Sequence, residues 1–160
     1  MTFRLAAAAA TVALLAVPNL AQAQVLTEHN ISAKIALTIA QTAYAECGPR
    51  VTVAVVDRAG RLKVFIQGDG AAPHNIELAR RKAYTANTFG RTTLEWAQRT
   101  ETNVSGQRAL TDVIPLQGGV PIKMGNETLG AVGLSGAPNG GPQEEACGKA
   151  GIDKVADQLK

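Results

Sequence analysis

Val51-Thr52-Val53-Ala54-Val55-Val56, then Asp57-Arg58-Ala59-Gly60, then the returning Arg61 to Gln67, is the stretch that decides the fold. The first six residues are mostly β-branched and nearly all apolar, the composition of a central strand covered on both faces. The next four suit a turn, and the third part alternates enough to return as the partner strand of a hairpin. A hairpin makes the sheet antiparallel, and its apolar faces require helices. Upstream, Ile31, Ile35, Ile39 and Ala43 recur every four residues. That period predicts a helix capped by Thr27 and stopped by Gly48-Pro49. Downstream, the tight loop Gly68-Asp69-Gly70-Ala71-Ala72-Pro73 places proline at a helix start. The helix runs from about His74 to Thr88 and carries Arg80, Arg81 and Lys82.

Gly90 ends that helix, and Thr92 or Thr93 can cap a short third one through Leu94 and Trp96. Gln98 to Gln107 is polar, lacks a period and reads as a mobile loop. The last third returns to strands: Val113–Leu116, Val120–Met124 and Thr128–Ser135, with Gly125-Asn126-Glu127 as the turn between the last two. Gly130, Gly133 and Gly136 weaken the final strand unless another backbone or a ligand comes close. Glu144 and Glu145 suit the first turn of a closing helix. The order α-ββ-αα-βββ-α is that of an α+β layer fold.

At the N-terminus, Arg4 precedes the apolar run Leu5 to Val17, and Ala21-Gln22-Ala23 supplies the small-x-small pattern of a cleavage site. The run is shorter than the ~20 residues that cross a bilayer. Residues 1–23 therefore read as a signal peptide and 24–160 as one domain, periplasmic or secreted, with no stable membrane insertion after cleavage. The formal charge of +3 less that of Arg4 gives +2 for the mature chain. So mild a charge, without interleaved aromatics, argues against nucleic acid. Export also favours pairing of Cys47 with Cys147 in a disulfide, since neither lies in a CxxC motif.

Candidate chemistry is sparse. The chain holds 2 histidines, His29 and His74, and no metal-ligand spacing, nucleophile elbow or phosphate loop. His74 opens a helix whose N–H groups point outward, which leaves it partly exposed with a ring nitrogen free to bind iron. Arg80, Arg81 and Lys82 follow within two turns and could meet carboxylates such as haem propionates. The plainer reading of all four is a solvated helix start and a solvated basic face. His29 reads as exposed in the first turn of the first helix. Asp57 and Asp69 read as turn residues, and Met124 as a core residue at a strand end.

Four ordered motifs resemble the GlcG/HbpS-type haem-binding family. They are Val53–Gly60; Gly68–His74 with Arg80–Ala86; Gly118–Ile122 with Leu129–Ala137; and Glu144-Glu145-Ala146-Cys147. The resemblance covers nearly all of the mature chain. It implies a profilin-like fold with a five-stranded antiparallel sheet flanked by helices, and assembly into homo-oligomers. It also implies haem binding in some members and association with a corrinoid in the related PduO domain. By that resemblance His74 is the candidate axial (metal) ligand, and Arg80, Arg81 and Lys82 are the candidate propionate partners.

The expected function is non-covalent haem or tetrapyrrole binding for scavenging, buffering or sensing. Aromatics make up 4% of the chain, which points to a shallow or subunit-interface site. Two alternatives stay open. One is a small-molecule enzyme of the isomerase or lyase type, with Lys82, His74 and Glu77 as an acid–base cluster. The other is an oligomeric accessory protein of a membrane sensor.

Overall fold

The computed structural model describes residues 25–160; the signal-peptide reading of 1–23 lies outside them. Helix α1 spans Ala33–Cys47, strands β1 and β2 span Thr52–Asp57 and Leu62–Gln67, and helices α2 and α3 span Asn75–Phe89 and Thr93–Thr102. Strands β3 and β4 span Gly119–Met124 and Glu127–Ser135, and helix α4 spans Gly141–Asp153. The sheet is antiparallel, in the order β2-β1-β4-β3. The continuous valine run thus occupies an inner strand, and every residue of β1 is buried.

The alternation along β1 divides the core. Val53 and Val55 join Ile39, Ala43, Val132 and Leu134 in a large cluster under α1 and α4. Ala54 and Val56 face the other way, toward Ala79, Ala83 and Ala86 of α2. Those α2 positions are all alanine, opposite Ala131 and Gly133, so the helix backbone rests almost on the sheet. A Cβ on Gly133 would fall well inside contact distance of Ala79 O and Ala83 N, and one on Gly130 would strike Val56 O. The glycines of β4 are there because backbone comes close, as their cost in a strand demands. Gly133→Ala is accordingly expected to destabilise the fold by about 2–3 kcal/mol through overpacking. Urea denaturation checks it, as a lower midpoint at unchanged slope.

Disulfide Cys47–Cys147 ties the end of α1 to the middle of α4. The remaining elements depart from expectation in three places. Helix α1 is capped by Ser32, whose side chain accepts from Ile35 N, and not by Thr27. The reason is that Asn30 and Ile31 are committed to contacts elsewhere, so His29 precedes the helix. Helix α3 continues to Thr102, and a short 3-10 turn covers Ser105–Ala109, where a loop was expected. Thr93, Trp96 and Thr100 form its buried face, and Thr92 with Glu95 completes a capping box.

The third departure is the strand count, four among the described residues instead of five. Val113–Leu116 is extended but joins no ladder. Ile114 N donates to Thr85 Oγ1, Val113 O accepts from Arg81 Nη2, and Pro115 has no N–H to offer. Side chains of α2 have taken the polar groups that a neighbouring strand would need.

Candidate functional site

The turns of both hairpins lie at one end of the sheet, where the C-terminal end of α2 also arrives. Between them is an open cleft of about 450 Å³ whose wall includes Arg58, Asn87, Phe89, Asn126 and Glu127. Most of the wall is polar. The floor is rigid because Asp57 Oδ1 accepts from both Ala59 N and Arg61 N at 3.0 Å, which fixes the β1–β2 turn. Burial disfavours the charge on Asp57, but hydrogen bonds from Arg61 and the turn amides outweigh it and hold the carboxyl below its usual range. Asn87 Nδ2 donates to Arg58 O at 3.0 Å, and its buried Oδ1 has no partner, leaving an acceptor unused in the wall.

Arg58 and Glu127 are the charged pair of the cleft. Arg58 Nη1 contacts Glu127 Oε1, while Arg58 Nε lies 3.7 Å from Glu28. The other oxygen, Glu127 Oε2, is 2.9 Å from His29 Nδ1. A carboxylate can only accept here, so His29 Nδ1 carries a proton and donates it to Glu127. The hydrogen bond from His29, then that from Arg58, holds Glu127 below the ordinary carboxylate range. The His29 side chain is 65% exposed. An exposed imidazole whose Nδ1–H is held by a carboxylate has the partner that metal-ligating histidines keep on the ring nitrogen turned away from the metal.

His74 stands elsewhere. It is exposed and precedes α2 as its N-cap residue, with no side-chain capping bond. Phe89 and the cleft lie at the other end of this 15-residue helix, a separation of about 22 Å at 1.5 Å per residue. The cations of α2 are also engaged. Arg80 Nη2 binds Glu77 at 2.9 Å and Asp112 at 2.6 Å, and these hydrogen bonds raise its already high pKa. Arg81 Nη2 donates to Val113 O at 2.6 Å.

Lys82 corrects the expectation of a basic surface face. Its side chain is 5% exposed, and Nζ binds Glu144 Oε2 at 2.6 Å and Leu134 O at 3.0 Å. With Lys82 turned inward and Glu77 held by Arg80, the acid–base cluster of Lys82, His74 and Glu77 is not assembled. Among the described residues no group of three or more His, Cys, Asp and Glu could hold a metal ion by itself, and no helix is long and apolar enough to cross a membrane.

A family model described as "Haem degrading protein HbpS-like" matches residues 29–153. The crystal structure of HbpS is 30% identical and superposes with a TM-score of 0.78, covering 82% of this chain and 94% of its own. A double glutamate-to-aspartate variant of HbpS from Streptomyces reticuli is also 30% identical, with a TM-score of 0.79, covering 93% of this chain and 99% of its own. A haem complex of PduOC shares the fold at 21% identity and a TM-score of 0.68, covering 78% and 94%. No curated protein matches the chain in sequence.

Proposed function

The chain belongs to the HbpS-like haem-degrading family, and from that premise we propose that it is an exported protein which holds haem non-covalently, for scavenging, buffering or sensing. The observation that carries the reading is His29, fixed through Nδ1 by Glu127 beside a cleft that also presents Arg58. His29 would hold the iron through its free ring nitrogen, and Arg58 with the polar wall would receive a propionate. That is the part of haem these residues fit. The cleft wall holds a single aromatic, Phe89, so it offers the macrocycle little apolar surface, and a second copy of the chain would supply the remainder. The Cys47–Cys147 disulfide supports export, since such bonds persist in oxidising compartments. The PduOC haem complex supports the ligand class.

A second reading keeps His74 as the axial ligand, favoured by its exposure and by the lack of any capping bond that would occupy its ring. Arg80 and Arg81 would then meet the propionates only by leaving Asp112 and Val113. One titration separates the two. Haemin added to the purified mature chain should give a saturable Soret shift. His29→Ala is expected to weaken it by at least about ten-fold, and Glu127→Gln by about 10–100-fold if the carboxylate orients the ligand, with His74→Ala near wild type. Loss on His74→Ala alone transfers the site to α2, and no shift at micromolar haemin refutes both readings.

A further inference from the structure

The segment that presents His29 has no regular secondary structure: residues 25–32 form neither helix nor strand. No ladder holds it in place. The His29–Glu127 hydrogen bond cannot hold it either, because a polar contact this exposed contributes little. Glu28 is 63% exposed and approaches Arg58 at 3.7 Å, which adds still less.

The segment is held one residue further on. Asn30 Oδ1 accepts from Ile31 N at 2.8 Å and from Arg58 N at 3.1 Å, so one side-chain oxygen joins the strap to the β1–β2 turn. That turn is the rigid one fixed by buried Asp57. Immediately beyond it, Ile31 is 2% exposed, with its Cγ2 3.3 Å from where a Cβ on Gly130 would sit. The strap is therefore fastened twice within two residues of His29, by an acceptor and by an apolar plug.

We infer that Asn30 is a positioning residue for the His29 site: its Oδ1 docks the strap on the Arg58 amide and so sets where the imidazole stands relative to Glu127 and the cleft. The inference rests on the haem reading for its consequence but not for its geometry, and the test separates the two. Asn30→Ala removes the acceptor and leaves Ile31 as the only fastening. Asn30→Asp keeps an acceptor at the same place.

The ligand-free mature proteins are compared first by NMR, through cross-relaxation between the His29 ring protons and the Glu127 side chain. It is expected in wild type and Asn30→Asp and absent in Asn30→Ala. Persistence in Asn30→Ala overturns the inference whether or not haem binds. Haemin titration follows. Asn30→Ala should weaken binding by about ten-fold, the lower end of what losing an orienting group does to a metal site, and shift the haem spectrum toward a weaker axial field. Asn30→Asp should stay within about three-fold of wild type. A lowered Tm in Asn30→Ala with unchanged affinity and spectrum would reduce Asn30 to a structural residue. Absence of haemin binding in wild type would fail the haem reading alone, leaving the NMR comparison to decide the placement.

Discussion

Lys82→Met lowers the unfolding free energy by about 3–5 kcal/mol, the cost of leaving one member of a buried ion pair without its partner. The pair spans the fold. Lys82 is on α2 above one face of the sheet, and Glu144 is on α4, so a 2.6 Å contact joins elements with no other reason to meet. Glu144 is also saturated from its other side, with Oε1 accepting from Gly136 N at 2.8 Å and Ala137 N at 3.3 Å. A methionine would fill the lysine stem's volume but leave a carboxylate held only by backbone amides. The double variant Lys82→Met with Glu144→Gln should recover part of the loss, because the amide oxygen can still accept from Gly136 and the uncompensated charge is gone. Urea unfolding of the two single variants and the double closes the cycle. A double variant as unstable as the sum of the singles would show that the pair is not energetically coupled.

Loss of the disulfide should be comparable. Cys47 and Cys147 are separated by 100 residues, and closing a loop of that length removes about 4–5 kcal/mol of chain entropy from the unfolded state in the entropic model. The expected cost of replacing both cysteines with serine is about 4 kcal/mol, read as a fall in denaturant midpoint. Wild type measured under reducing conditions should match the variant. Both sulfurs lie at the buried junction of α1 and α4, so two serine hydroxyls there add a small desolvation cost of their own. Alanine replacements separate that contribution from the lost crosslink.

Much of this architecture can be read from local patterns. The β-branched run of β1, the four-residue recurrence along α1, the proline before α2 and the capping threonine of α3 each act within a few residues, which is why they are visible in the chain. The glycines of β4 announced close neighbours, which are α2 at Gly133 and the β1 backbone at Gly130. Val113–Leu116 misled because an extended apolar run has the same composition whether its amides meet a strand or the side chains of Thr85 and Arg81. The polar tail of α3 hid its period, since two of its three inward residues are threonines.

The candidate site was the least legible part. His29 and Glu127 are 98 residues apart, and nothing in the neighbourhood of either names the other. The α2 cations looked free for the same reason. Their partners, Asp112 and Glu144, lie 32 and 62 residues downstream, and only the folded chain brings them together. Asn30 gave one local hint, because asparagine readily binds backbone amides nearby, but its second donor comes from Arg58.

The packing of α2 on the sheet also bears on how this protein can drift over generations. The backbone at Ala79 and Ala83 leaves no room opposite Gly133, so Gly133 cannot gain a methyl group unless the helix lifts. Lifting it would also disturb Gly119, which lies against Lys82 O, and the Lys82–Glu144 bond beside it. Lineages descended from this chain should keep these positions as one inherited block, while the exposed face of α2 remains free to change.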